Sequence, residues 1–485
     1  MKAIIIGAGI SGIAASIRLK CKGYDVEVYE ANDYPGGKLT AFSIDDYRFD
    51  AGPSLFTLPY LVDDLFRTAG KEPRDYFKYQ RLDVSCHYFF EDGTRLQAYT
   101  DKQRLADEVS KKVGVEGDVV NKYLEKSRFI YEKAGKIFLE KSLHKLGTWL
   151  TKDVAKALLH INKYGLFRSM NDSNESFLQH PKLVQLFNRY ATYNGSNPYE
   201  APGILTSIPH LEFNEGTYFP EGGMHEITMS LFRLAEDIGV VFKFNQKVDK
   251  IEVENGKAVG ISIGDQIERG EIVVSNMDIV PTYRHLLAGQ KAPEKTMKQE
   301  RSSSALIFYW GIKKAFSELD LHNIFFTKNY QEEFEHIFKK KALYHDPTVY
   351  INITSKYKAD DAPSGGENWF VMINMPPDTG QDWPKVIAEA KQNILRKVSQ
   401  ALKTDIAPLV EAEEILTPRM IEEKTSSFGG SLYGASSNSR YAAFLRHPNF
   451  SQKIKGLYFC GGSVHPGGGI PLCLLSAKIL ADLVD

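Results

Sequence analysis

"KAIIIGAGISGIAASIRLKCKGYDVEVYE", Lys2 to Glu30, decides how the chain must be read. Ala3 to Ile6 is a short apolar, β-branched run suited to a buried parallel strand. Gly7-x-Gly9-x-x-Gly12 follows without a break. Gly7 permits a tight turn, Gly9 lets backbone approach a pyrophosphate, and Gly12 lets a helix pack closely on the strand. The pattern carries a helix from Ser11 to about Cys21, ending near Gly23. Its N-terminus offers free N–H groups and positive dipole to phosphate. Asp25 to Tyr29 alternates as a second strand and ends on Glu30, placed to accept the ribose hydroxyls of an adenosine. A lone glycine motif is weak; strand, motif, helix, strand and acid in order specify a dinucleotide site. NAD and FAD both remain open at this point.

The rest of the composition narrows the class. With 485 residues the chain is too long for one ordinary core and implies two or three domains. A formal net charge of −1 leaves no excess of cations for a nucleic acid. Cys21, Cys86, Cys460 and Cys473 are scattered, without a C-x-x-C pair or a His cluster at ligand spacing. They read as reduced, buried thiols, and no metal site is expected. No signal peptide and no membrane-spanning run is expected, which places the protein in the cytoplasm or on a membrane surface.

Six residues after Glu30 comes "GGKLT" (Gly36 to Thr40), then "FDAGPSLFTLP" (Phe49 to Pro59). A ribose-binding Glu, a Gly-Gly-Arg/Lys segment and F-D-x-G-P-S/T together resemble the FAD-dependent amine oxidase and phytoene desaturase superfamily. Within it the likeness is to the bacterial carotenoid desaturases. It recurs in "YNGSNPYEAP" (Tyr193 to Pro202), "YFPEGGMHEI" (Tyr218 to Ile227), "VVSNMDIVPTYRHLL" (Val273 to Leu287), "SSSALIFYWGIKK" (Ser302 to Lys314) and the closing glycine stretch. Five islands in order make the assignment specific. The resemblance implies FAD, with Gly7, Gly9, Ser11, Gly12, Glu30, Gly37, Lys38, Leu39, Gly52, Pro53 and Ser54 around it. Lys38 stands where most relatives carry Arg, and a point charge holds phosphate less tightly than a fork. In "NQKVDKIEVENGKAVGI" the alternation and the Asn255-Gly256 turn give a hairpin. The resemblance adds its first strand to the nucleotide domain and sets the Val248 backbone against adenine; a plain surface hairpin is the alternative.

The glycine stretch "GGSVHPGGGIP" (Gly461 to Pro471) reads as the second half of the FAD site, through Gly462, Ser463, Gly469 and Ile470. Ile470 to Leu483 is an apolar helix with Pro471 in its first turn. Its dipole would stabilise negative charge on the reduced flavin. His465 has two readings, an acid or base beside the flavin or a positional member of the loop. Amine oxidases usually place an aromatic beside the flavin in this stretch, and Cys460 to Asp485 contains no Phe, Trp or Tyr. An apolar substrate therefore fits better than an amine.

The expected architecture is α/β. A discontinuous Rossmann-like FAD domain comprises residues 1–74, 210–301 and 425–485. A mixed-sheet substrate domain comprises residues 75–209 and 302–424, with strands at Ser302 to Gly311, Thr348 to Ser355 and Trp369 to Met375 and a helix at Trp383 to Leu402. Residues 121–168 form a helical segment in which Lys and Arg outnumber Asp and Glu by eleven to four. Its apolar set recurs at helical spacing: Ile130, Ala134, Ile137, Leu146, Leu150, Val154, Ala157, Leu158 and Ile161. Periodicity alone does not separate a lid packed on its own core from a helix lying on anionic lipid.

The resemblance implies loss of a hydride and a proton from adjacent carbons of a carotenoid, with oxygen or a quinone as final electron acceptor. The intermediate cation would be delocalised over the polyene, so a strong base is not essential. As a candidate pair for the proton step, Asp153 and Lys156 fall roughly where bacterial phytoene desaturases carry an Asp and an Arg three apart on a helix; a surface ion pair is the plainer reading. "GPSLFTLP" and "YATYNGSNPYEAPG" are more similar to hydroxycarotenoid 3,4-desaturases than to phytoene desaturases. Phytoene desaturase, carotenoid isomerase, amine or porphyrinogen oxidase and a non-catalytic isoprenoid escort protein are the alternatives.

Overall fold

Lys2–Ile6 is the middle strand of a five-stranded parallel sheet, seen in a computed structural model that describes residues 1–439 and 445–484. The strand order is Leu457–Phe459, Ile272–Ser275, Lys2–Ile6, Asp25–Tyr29, Val241–Lys243. Ile4 pairs with Val273 on one side and Glu27 on the other. The sheet thus draws strands from separated parts of the chain. Successive side chains of a strand point to opposite faces, and both faces of the central strand are covered. Ala3 and Ile5 pack with the helices Ile10–Cys21, His225–Asp237 and Ile470–Leu483. Ile4 and Ile6 pack with Ile251, Ala258 and Ile261. Those last residues belong to the expected hairpin, Lys250–Glu254 with Lys257–Ile263. The hairpin does not extend the parallel sheet. It gains a third strand, Gln266–Arg269, and forms its own antiparallel sheet against that face.

The first helix is buried along almost its whole length. A Cβ on Gly12 would lie 2.1 Å from the Gly7 carbonyl oxygen, so only glycine lets the helix start this close to its strand.

A seven-stranded mixed sheet forms the second layer, in the order Val410–Leu416, Ser304–Ile312, Glu367–Met375, Val349–Asn352, His322–Phe325, Val84–Phe89, Arg95–Tyr99. The strand expected over Thr348 to Ser355 stops at Asn352, because Thr354–Lys356 turns into a 3-10 helix. One face of this sheet is packed by the helix Trp383–Leu402, through Ala390, Ile394 and Val398 against Phe308, Trp310 and Val371. The other face presents Ile307, Tyr309, Phe370 and Met372 to a large cavity.

Residues 121–168 are mostly helical, broken by a π-turn at Tyr131–Gly135 and by short segments from Leu146–Trp149 onward. The apolar set read from the sequence divides between two faces. Ile130, Ala134, Val154 and Ala157 are buried. Leu146 and Leu150 are 83 % and 85 % exposed, with Leu158, Leu159, Ile161 and Phe167 also outward. The breaks turn the apolar stripe outward partway along, which a continuous-helix reading does not foresee. Among the described residues no helix is long and apolar enough to cross a membrane, and no cluster could hold a metal. All four cysteines are free. Contrary to the expectation of buried thiols, Cys21 is exposed at the last turn of the first helix, and Cys473 is part-exposed.

Candidate functional site

Between the parallel sheet and the seven-stranded sheet lies a cavity of about 1040 Å³. It is long enough in lining to reach from Glu30 and Val248 at one end to Arg189 and Tyr350 at the other. Two helix N-termini open on it. Ser11, in the first turn of Ile10–Cys21, donates its hydroxyl to the Cys473 carbonyl, in the first turn of Ile470–Leu483, at 2.8 Å. The sequence halves lie 462 residues apart and meet here.

Glu30 ends its strand inside the cavity wall, 7 % exposed. Its carboxylate accepts the Ala8 N–H at 2.7 Å and the Asn32 N–H at 2.9 Å, so the glycine turn fixes its position. Val248 is buried and lines the same end. Gly9 lies against Asn276, whose side-chain amide would be 2.7 Å from an added Cβ and which donates to the Gly7 carbonyl at 3.3 Å.

Gly37, Lys38 and Leu39 follow along the cavity, with Gly52, Pro53 and Ser54 beside them. The two segments are held together by the hairpin Thr40–Ile44 with Tyr47–Ala51. A Cβ on Gly52, at φ +104°, would lie 1.7 Å from the Lys38 carbonyl oxygen. Asp50, one residue into the F-D motif, has a role that sequence reading missed. Its carboxylate accepts the Met224 and His225 N–H groups at 2.7 and 3.0 Å and so caps the helix His225–Asp237.

Lys38 donates to the Ser431 and Leu432 carbonyls at 3.2 and 3.1 Å. Burial pushes its pKa down to about 8, with Asp278 and Cys473 pulling the other way. Arg446 is likewise buried, donates to the Tyr433 carbonyl at 2.7 Å, and is lowered to about 10 by burial. Two desolvated cations held by carbonyl oxygens on one cavity suit an anionic ligand.

The glycine stretch closes the cavity on the side of the C-terminal helix. Ser463 accepts the Ile279 N–H at 2.9 Å, which ties the stretch to the segment after the strand Ile272–Ser275. Gly469, at φ +103°, has no atom within 4 Å of where a Cβ would stand, so its backbone and the Ile470 helix start are bare to the cavity. His465 is 3 % exposed, and its Nε2 lies 2.8 Å from the Lys141 carbonyl oxygen. Burial lowers its pKa to about 4. A neutral ring that donates to a fixed carbonyl holds the loop to residues 136–145; its proton is already engaged.

No aromatic occurs between Cys460 and Asp485, yet one stands against this stretch. A Cβ on Gly468 would lie 2.7 Å from the Tyr433 Cα, and Tyr433 lines the cavity. The aromatic neighbour of this stretch comes from elsewhere in the chain. Asp153 and Lys156 are exposed on the helix Lys152–Leu158 and do not line the cavity. Their side chains follow the outward face, so the geometry gives them no access to a ligand there; nor are they ion-paired to each other among the described residues.

The far wall of the cavity was not legible as a site. Arg189, Tyr193, Glu212, His322 and Tyr350 come from four separate elements. Tyr193 lies in one of the quoted islands, which was the only sequence signal. Residues from 135 to 143, Phe138, Leu139 and Leu143 among them, close the cavity from the lid side.

The chain matches the family of flavin-containing amine oxidoreductases over residues 10–485. It is 55 % identical over 483 residues to a 1-hydroxycarotenoid 3,4-desaturase from Flavobacterium sp. (strain P99-3), covering 100 % of this chain and 99 % of that protein. It is 30 % identical over 491 residues to a 4,4'-diapolycopene oxygenase from Methylomonas sp., covering 100 % and 98 %. An oxidoreductase from Methanosarcina mazei shares the fold, with a TM-score of 0.63 at 16 % identity over 99 % of this chain and 100 % of the other. A flavin dinucleotide fits the residues present: glycines without side chains along the cavity at Gly9, Gly37 and Gly469, two helix N-termini and two buried cations.

Proposed function

The chain belongs to the flavin-containing amine oxidoreductases and, within them, to the bacterial carotenoid desaturases; from that premise we propose that it is a 1-hydroxycarotenoid 3,4-desaturase. The observation that carries the proposal is 55 % identity along the whole chain to a protein of that activity. The cavity supports it, since most of its lining surface is apolar, with Ile, Leu, Phe and Tyr side chains prominent.

Desaturation removes two hydrogens from adjacent carbons, and bound FAD supplies the two-electron acceptor. Everything else falls to the chain. Gly7, Gly9, Ser11 and Gly12 would offer backbone and helix dipole to the pyrophosphate, and Glu30 and Val248 would bound the adenosine end. Gly37, Lys38, Leu39, Gly52, Pro53, Ser54, Gly462, Ser463, Gly469 and Ile470 line the remainder. The helix N-terminus at Ile470 favours negative charge near it. Ile307, Tyr309, Phe370 and Met372 of the seven-stranded sheet form an apolar roof that excludes water and positions the polyene. Oxygen or a quinone would be the final electron acceptor.

The exposed apolar side chains from Leu146 to Phe167 stand among Lys145, Lys152, Lys156, Lys163 and Arg168. Such a patch suits an anionic bilayer surface, where a carotenoid is dissolved. The same segment lines the cavity on its inner side through Leu139 and Leu143. We place the substrate entrance there.

The test is expression in cells that accumulate defined carotenoids, with products identified by mass and absorption spectrum. A product two hydrogens lighter with a longer conjugated chain, formed from a 1-hydroxylated carotenoid, is expected. Unchanged carotenoid in the presence of flavin and an electron acceptor overturns the reading, as would peroxide formed from polyamines.

A further inference from the structure

A 1-hydroxycarotenoid carries one polar group on an otherwise apolar chain. Three bonds separate that oxygen from the first carbon of the new double bond. With bonds of ~1.5 Å, the pocket that holds the oxygen must lie on the order of 4 Å from the reacting carbons.

A run of hydrogen bonds crosses the apolar wall of the cavity where the seven-stranded sheet faces Gly52–Ser54. Ser54 Oγ lies 2.7 Å from the Tyr350 hydroxyl, and that hydroxyl lies 2.8 Å from His322 Nδ1. Asn352 Nδ2 donates to the same His322 nitrogen at 3.3 Å. An amide nitrogen only donates, so Nδ1 is the acceptor and the imidazole proton sits on Nε2. That nitrogen is buried and has no partner among the described residues. Burial pushes the His322 pKa down to about 4, so the ring is neutral. A buried donor without an acceptor is costly, and a ligand oxygen in the cavity would satisfy it.

Beside it stands a buried ion pair. Arg189 Nη2 donates to both oxygens of Glu212, at 3.1 and 3.2 Å. Arg189 also donates to the hydroxyls of Tyr88 at 2.8 Å and Tyr193 at 3.1 Å, and Tyr193 in turn donates to Glu212. The charges of Arg189 and Glu212 act on both His322 and Tyr350, which makes these groups one cluster. Tyr350 and Tyr193 are its half-buried members, and both line the cavity. Tyr350 sits on a central strand, so its exposed part faces the cavity and not bulk water.

We propose that Tyr350 and His322, backed by Tyr193 and the Arg189–Glu212 pair, form the pocket that receives the carbon-1 hydroxyl and thereby sets carbons 3 and 4 at the cofactor. The inference rests on the desaturase reading above. Ser54 belongs to the turn expected beside FAD, so the cluster stands at the reacting end of the cavity. A substrate without the hydroxyl would leave His322 Nε2 unpaired. Sites built to bond a hydroxyl reject the analogue lacking it by orders of magnitude.

The experiment uses the flavin-loaded protein with two carotenoids of one skeleton, with and without the carbon-1 hydroxyl, in the same liposomes. kcat/KM is measured for each, and their ratio is the readout. The wild type is expected to favour the hydroxylated substrate by at least tenfold. Tyr350→Phe keeps the ring and removes the hydroxyl; it is expected to lower the ratio about tenfold or more. His322→Phe reports the same quantity through the neighbouring group and replaces Tyr350→Phe if that variant fails to fold. A wild-type ratio near one, or a ratio unmoved in the variants, overturns the pocket while leaving the desaturase reading intact. Desaturation of neither carotenoid by the wild type overturns both.

Discussion

His465 Nε2 donates to the Lys141 carbonyl oxygen at 2.8 Å, so the glycine stretch near the C-terminus holds a lid segment 324 residues earlier in the chain. The ring is neutral because burial keeps its pKa near about 4. His465→Ala should loosen residues 136–168 without abolishing turnover. Limited proteolysis within that segment should speed up, and KM for carotenoid should rise about fivefold, the weight of one hydrogen bond of ~1 kcal/mol. The pH–rate profile of the wild type should show no limb near 6.5 that the variant removes. A total loss of kcat with normal flavin content would instead assign His465 to the chemistry.

Gly12→Ala places a Cβ 2.1 Å from the Gly7 carbonyl oxygen. Backbone meets backbone there, so neither side yields cheaply. The first helix must move away from its strand, at about 1–3 kcal/mol for overpacking. Purified protein should carry less than a tenth of the wild-type flavin absorbance and unfold at lower urea.

Leu150 and Leu159 are 85 % and 78 % exposed. Each leucine transferred into lipid contributes about 1.5–3 kcal/mol. Leu150→Asp with Leu159→Asp should therefore lower partitioning onto anionic liposomes by tenfold or more in a flotation assay. Val241→Asp, an exposed change on the edge of the parallel sheet, should alter it less than twofold.

Glu333 is buried, and its pKa is raised to about 7. Burial is the main cause; the Thr348 hydroxyl and N–H, at 2.7 and 2.8 Å, oppose it. The folded state thus binds this proton more tightly than the unfolded chain. Its stabilising contribution is complete below pH about 4.5, the unfolded value, and is lost as pH rises through about 7. Glu333→Gln keeps partners for Thr348 and removes the titration. Urea unfolding across pH 4.5 to 7.5 should show a flatter stability profile in the variant, by up to ~3 kcal/mol over the window. Parallel profiles for the two proteins would place the titration elsewhere.

The nucleotide half was legible because its signal is local. Strand, glycine turn, helix and acid run from Lys2 to Glu30 within one unit; Gly7 takes a positive φ, Gly9 stands against the Asn276 side chain, and Gly12 stands against the Gly7 carbonyl. The helix Ile470–Leu483 and the strands near Ser304, Val349 and Glu367 were readable for the same reason. The residues 121–168 were not, because an apolar stripe does not state which neighbour covers it. Ala134 is fully buried and Leu150 is not, though both fit the same periodicity.

The expectation of a dinucleotide held between the two ends of the chain came from the sequence alone. Which side chains meet across the cavity is visible only in the folded chain. Tyr433 beside Gly468, the Arg189–Glu212 pair and the Ser54–Tyr350–His322 hydrogen bonds join residues from distant segments. The physical reason is that turns and periodicities are set by neighbours in the chain. A pocket is set by side chains that meet only after two sheets have closed on each other.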